Sequence, residues 1–367
     1  MTLPERTRTA AERLQPLVAA VQANCHVADA RHATELTLCT YLLQMREFFR
    51  WERGLPFGAA LARHEVGAWL AEREALWEQV QGDAWQPLPL PDAGPPADPF
   101  DVHAVNARLG GTGLLYGAGI GAGGRPDFFL AELHARTQRD GLPVAVAGHE
   151  LARGLLAPPA ALADEHGNAR IVLRRESIGR WGWERLEAFR LRPAADSAFA
   201  AAAEAYGLDR DLDAALPRLV DEQAEAALLH EIGEYRVGRR LGPAWTALRQ
   251  ALPTRRGELH ARALRDLLAD FDVTLPTLLA RGADRSLHLW FAAFDGVRAQ
   301  LCPGLPAAWR AWRGGDGGAA LRAACAAGRR HFEALAQDLL RRHAAGGAGA
   351  AADIEARLTA AQAICRG

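Results

Sequence analysis

Proline decides where regular structure is allowed along this chain. From Trp85 the residues run Trp-Gln-Pro-Leu-Pro-Leu-Pro and soon after Gly-Pro-Pro. That is too proline-dense for a helix or a central strand, because each ring deletes a backbone donor and fixes φ. An extended connector is expected over 83–99. Before it, apolar residues recur at three- and four-residue steps over 4–23, 29–51 and 56–81, the spacing of amphipathic helices, with Gly54 and Pro56 separating the last two. After Pro193 the same spacing predicts helices near 196–206, 219–241, 258–271, 285–301 and 318–342, punctuated by Pro217, Pro243, Pro253, Pro276, Pro303 and Pro306. Residues 343–352 are rich in Gly and Ala and are expected to fray.

Between the helical stretches the pattern turns to strands. Residues 128–137 and 142–147 flank Asp140-Gly141, a favoured hairpin turn pair, and this is expected to be the only hairpin. A further strand, 171–174, comes after a turn at His166-Gly167-Asn168. Ser177 is placed to cap a short helix running through Trp181 and Trp183 to Phe189. The expected fold is therefore α+β and predominantly α-helical. Residues 1–190 form a helical N-terminal section with a small antiparallel sheet, and 196–342 form a helical C-terminal domain. A length of 367 residues suits two domains.

Composition closes several functional classes. All 43 basic residues are arginine, and without lysine there is no Walker-type phosphate lysine, no Schiff-base lysine and no lysine general base. Serine is confined to Ser177, Ser197 and Ser286, none in a Gly-x-Ser-x-Gly elbow, which argues against a serine hydrolase. A net charge of −1 gives no reason to expect nucleic acid or an anionic membrane as a bulk partner. Cys25, Cys39, Cys302, Cys325 and Cys365 are odd in number and lack CxxC spacing, so free thiols in a cytoplasmic protein are expected. The charged N-terminus and the lack of an 18-residue apolar run point to neither export nor membrane insertion.

Gly119-Ile120-Gly121-Ala122-Gly123-Gly124 formally matches GxGxxG. Pro126 and a strand-like run stand next, where a dinucleotide fingerprint needs a helix, so a glycine loop is the reading here. In the second helical stretch His32, Glu35, Cys39 and Arg46 share a stripe with Leu42 and Phe49, while Glu47 and Glu52 lie off it. An Arg46–Glu ion-pair network is the favoured account.

The run from Leu38 through Cys39-Thr40-Tyr41 to Arg50-Trp51-Glu52, with Leu228-Leu229-His230-Glu231-Ile232-Gly233-Glu234, resembles an uncharacterised bacterial family, a domain of unknown function, over most of the chain. The resemblance implies no activity, substrate or cofactor. The residues themselves have to supply the function.

His230-Glu231-x-x-Glu234 lies within a helix beside a stripe of small residues, Ala226, Ala227, Gly233 and Val237. Positions i and i+4 share a helix face, so the imidazole and the carboxylate can hold one ion together. Glu231 stands where the base stands in HExxH zinc enzymes. Glu replaces the second His of that pattern, and His260 on the next helix would restore a two-His, one-carboxylate set for zinc or iron. Asp266 and Asp270 are acidic alternatives, with Arg262 positioned to pair with Asp266.

The motif supports two readings. In the first, a metal-binding protein carries a hydrolase-like or oxidoreductase-like HExxE site, with His230, Glu234 and His260 as ligands and Glu231 as base. In the second, a non-enzymatic scaffold buries the same residues as a polar network, and the Trp181/Trp183 and Arg174/Arg175/Arg180/Arg185 region meets a protein partner.

Overall fold

The computed structural model describes residues 10–361, apart from 93, 122, 123, 166 and 167. Several expectations lie wholly or partly outside that range: the helix start at 4–9, the centre of the 119–124 glycine run, the turn at 166–167, and Cys365.

The first elements are α1 (Ala10–His32), α2 (Leu38–Glu52), α3 (Arg63–Val80) and α4 (Val102–Arg108). Next come β1 (Leu114–Ile120), β2 (Pro126–Arg139), β3 (Leu142–Arg153), β4 (Ala160–Glu165), β5 (Asn168–Arg174) and α5 (Arg175–Leu191). The strands form a sheet in the order β1-β2-β3-β5-β4, which is mixed rather than purely antiparallel as expected. The turn between β2 and β3 sits at Asp140-Gly141, both with positive φ (52° and 77°), the geometry of a two-residue hairpin whose twist suits its strands. It is not the only hairpin: β1 and β2 also pair antiparallel, from Leu114 opposite Glu132 to Ile120 opposite Pro126. The glycine run thus connects two strands, and β2 rather than a helix comes after it, so no helix N-terminus receives a phosphate there.

The chain divides into two compact units. The first comprises 1–138, 143–159 and 172–181. Here α1 runs past the expected stop at 23, because Val21, Cys25 and Ala28 continue the buried stripe begun at Leu17. That stripe packs with Leu88 and Leu90 of the proline-rich segment, Tyr116 of β1, and Phe128 and Leu130 of β2. The connector is extended as expected, yet it is core: Leu88 is fully buried and exchanges two backbone hydrogen bonds with Ala97. In α2, capped by Thr37, the buried residues are Met45, Glu47, Phe48, Phe49 and Arg50. The expected polar stripe is instead largely outward, with Cys39 exposed and Leu42 47% exposed. The ion-pair network forms around Glu47, which accepts from Arg46 Nε at 3.2 Å and Arg50 Nε at 3.1 Å.

The second unit comprises 139–142, 160–171 and 182–367. It adds α6 (Ala198–Tyr206), α7 (Leu212–Ala251), α8 (Arg255–Ala269), α9 (Leu275–Ala280), α10 (Asp284–Ala292), α11 (Gly296–Leu301), α12 (Leu305–Arg313), α13 (Ala319–Gly346) and α14 (Ala351–Ala360). Ser197, Asp211 and Thr254 cap α6, α7 and α8 through side-chain oxygens. α7 is longer than expected and bends at Gly242, the residue before Pro243, which takes φ 68°. The helix expected over 285–301 breaks between α10 and α11, where Gly296 adopts φ 58°. Residues 343–352, expected to fray, complete α13, a short 3₁₀ turn and the start of α14.

A five-residue π-helical segment, Asp270–Thr274, joins α8 to α9. Such segments shift the register of the helical residues beyond them and occur frequently at functional sites. α7 packs on α8 and on the π segment, and Leu228, Leu229 and Ile232 of α7 and Leu264, Leu267 and Leu268 of α8 are all buried.

Among the described residues no helix is long and apolar enough to cross a membrane. Cys25, Cys39 and Cys325 are free thiols, whereas Cys302 is disulfide-bonded, so the expectation of unpaired cysteines throughout fails. Spacing alone had concealed this, because bridging depends on the approach of chain segments, not on their distance in sequence.

Candidate metal centre

The HExxE segment lies in the straight part of α7, well before the bend at Gly242. Gly233, between the two candidate ligands, permits a close approach: a Cβ there would stand 2.7 Å from the Ala269 carbonyl oxygen. The absent side chain lets α7 approach the end of α8, so His230 and Glu234 reach across to the acidic residues of α8 and the π segment.

His230 Nδ1 lies 2.8 Å from Asp270 Oδ1. Asp270 is fully buried and also accepts from Trp290 Nε1 at 3.3 Å and Arg298 Nη1 at 3.4 Å. With Nδ1 bonded in this way, the other ring nitrogen, Nε2, faces Glu234 Oε1 at 3.7 Å. Asp266 completes the group: one ligand atom from each of His230, Glu234 and Asp266 lies within 4.8 Å of the others. Two donors about 2.1 Å from a common ion take up a separation close to that between Nε2 and Oε1.

The electrostatics push the members of the cluster in opposite directions, His230 and Asp266 toward their protonated forms and Glu234 toward its ionised form. Burial opposes the imidazolium of His230, but the charge and hydrogen bond of Asp270 outweigh it and raise the imidazole well above its usual range. Burial likewise opposes ionisation of Glu234, yet His230 and Arg265 hold its carboxyl below the usual range. Asp266, desolvated and hydrogen-bonded to Glu234, is pushed up to about 7. Arg265 Nη2 donates to Glu234 Oε1 at 2.6 Å, so a guanidinium already occupies one oxygen of the candidate ligand.

The expected ligands and base are only partly brought together. His230 and Glu234 share the centre as the i, i+4 spacing implied. Asp266 stands third, the place expected for His260. His260 is buried, and its Nδ1 instead bonds the Arg256 carbonyl one turn back in α8, at 2.8 Å. Arg262, expected opposite Asp266, pairs with Glu258 at 2.7 Å. Glu231 accepts the backbone N–H of Leu162 in β4, and burial pushes its carboxyl up to about 7. Arg265, Trp290 and Arg298 carried no sequence signal, because their approach depends on how α8, α10 and α11 pack. The Arg/Trp surface is largely internal: Trp183, Arg174 and Arg180 are buried, and Arg180 donates to the Leu155 and Ala157 carbonyls.

A mainly helical protein of two compact units, with a His–carboxylate cluster between α7 and α8 of the second, is the class these features define. Residues 16–174 match the N-terminal domain and residues 179–361 the C-terminal domain of a family of unknown function, DUF6866, and the chain belongs to that family. No curated protein and no solved structure matches it.

Proposed function

We propose that the C-terminal domain binds one divalent cation, zinc or iron, through His230 Nε2, Glu234 and Asp266, and that the bound ion activates water for hydrolytic chemistry. The observation that carries this reading is the bond from His230 Nδ1 to buried Asp270. A metal-ligating histidine typically spends its second nitrogen on a carboxylate, which fixes the tautomer and aims the other nitrogen at the ion. Three protein ligands leave a coordination position for water, as catalytic zinc sites do. Glu231, one residue from a ligand, is the base in this scheme.

A second reading is favoured by a specific contact. The Arg265–Glu234 bond at 2.6 Å satisfies the carboxylate without a metal, as a structural network in a scaffold protein would. Metal stoichiometry of protein purified without chelator, measured beside thermal midpoints for His230→Ala and Glu231→Gln, separates the two. The metal reading expects near-stoichiometric ion in the parent, its loss in His230→Ala, and its retention in Glu231→Gln. A metal-free parent whose variants lose only stability leaves the scaffold reading standing.

A further inference from the structure

Away from the metal centre, the N-terminal unit encloses a guanidinium whose charge is poorly answered. Arg153, at the end of β3, is 1% exposed. Among the described residues its Nε and Nη2 have no hydrogen-bond partner. Its nearest carboxylate there is Glu150, with Nη1 3.8 Å from Oε2, beyond hydrogen-bond reach. Only one oxygen of Glu150 is committed, Oε1, which accepts Arg174 Nε at 2.8 Å and Ser177 Oγ at 3.0 Å. Oε2 faces Nη1 and has no hydrogen-bond partner among the described residues, so the Nε–Nη2 edge is the part of the guanidinium left unanswered. Arg174 Nη2, also buried, has no partner among the described residues either. The Arg153 guanidinium is walled by aromatic rings, 5.1 Å from Trp51 and 5.7 Å from Phe48.

Buried N–H donors left without acceptors cost about 1–3 kcal/mol each, more on a charged group, and natural interiors rarely leave them so. The Nε–Nη2 edge of arginine presents two parallel N–H donors, the geometry that takes two oxygens of a carboxylate or phosphate at once. We propose that Arg153 holds a small oxyanion inside the N-terminal domain, with its Nε and Nη2 donating to two of the oxygens. The carboxylate and inorganic oxyanion classes share this chemistry, and Arg153 recognises what they have in common. The site is independent of the cation centre on α7, and its failure would leave that reading untouched.

The test uses the full chain dialysed into HEPES with sodium chloride and then titrated with sodium formate or sodium phosphate at fixed ionic strength. The expected result is a saturable rise in thermal midpoint with at least one of the two, on the order of 5 °C at a large excess over Kd. A response to formate alone identifies a carboxylate site, and a response to phosphate alone an inorganic oxyanion site. Arg153→Met, close in volume and without donors, should lose that rise. Should Arg153→Met fail to fold, ion chromatography of acid-denatured parent protein supplies the second measurement, with about one equivalent of released anion expected. A parent that neither responds nor releases anion overturns the proposal in favour of buried water, and so does an Arg153→Met variant that responds as the parent does.

Discussion

Gly233 of α7 faces the backbone carbonyl of Ala269 at a distance where a methyl group would stand 2.7 Å from the oxygen and 2.9 Å from the Ala269 Cβ. Both neighbours belong to packed helix, so neither can yield cheaply. The two helices bring His230 and Glu234 up to Asp266 because this one position has no side chain.

Gly233→Ala should therefore destabilise the protein by about 1–3 kcal/mol, the usual cost of forcing volume into a packed contact. Gly238→Ala, one turn on in the same helix with open space around it, should instead stabilise by up to about 1 kcal/mol through helix propensity. Denaturant midpoints of the two variants beside the parent check the sign. Equal effects would mean that the helices do not approach as described.

Asp270→Asn tests the support behind His230. The amide is nearly isosteric but presents no charge to hold the Nδ1 proton, so cation affinity should fall about 10- to 100-fold. Competition against a chromophoric chelator reads this directly. An unchanged affinity would place the ion away from His230.

Asp29 of α1 supplies a pH signature for the N-terminal domain. Both of its carboxylate oxygens accept the Leu155 N–H, and burial pushes the carboxyl up from its ordinary value of 3.8 to about 8. Between those values the folded chain keeps a proton that the unfolded chain has released. Stability present at low pH is therefore lost as pH rises from about 4 to about 8, by at most about 1.4 kcal/mol per unit. His26, one turn earlier, runs the other way: burial and Arg73 depress its imidazole to about 3, so its contribution is lost as pH falls below its ordinary 6.5. Asp29→Asn should remove the first slope and keep the second. A variant whose stability profile parallels the parent's from pH 4 to 8 would contradict the assignment.

The thiols give a chemical map. Non-reducing peptide mapping should recover Cys302 in a disulfide and Cys25, Cys39 and Cys325 as thiols. Exposed Cys39 should alkylate first. Burial pushes Cys25 well above the usual thiol range and Cys325 up to about 12, so both should resist alkylation until the chain unfolds. Rapid labelling of Cys325 in native protein would show that α13 does not shield it.

The elements that obey simple periodicity were readable in the sequence, and those set by tertiary contact were not. The hairpin at Asp140-Gly141 and the helices around the HExxE segment were expected from turn chemistry and 3.6-residue spacing. β4 was missed because residues 160–165 read Ala-Ala-Leu-Ala-Asp-Glu, without the β-branched or aromatic residues that mark strands. His230 and Glu234 were paired by helix geometry. Choosing between His260 and Asp266 was beyond it, because two positions on one helix differ only in which way they face. Nothing in Asp270–Thr274 announced a π segment, whose register shift acts on the helical residues of α9 beyond it. Glu47 was placed off the interesting stripe, although its burial between Arg46 and Arg50 makes it the most enclosed carboxylate of α2.

The bond between Glu231 and the Leu162 N–H bears on how open the β4 edge is to another strand. β4 ends the sheet, with β5 as its single ladder neighbour among the described residues. Leu162 gives its N–H to a side chain of α7, so that donor is closed to an incoming strand. An uncovered strand edge is a template for pairing with another chain. Replacing Glu231 by alanine would leave the Leu162 donor unanswered, and the loss should appear in concentrated solution as oligomers by light scattering, with the melting temperature of the dilute protein changing far less.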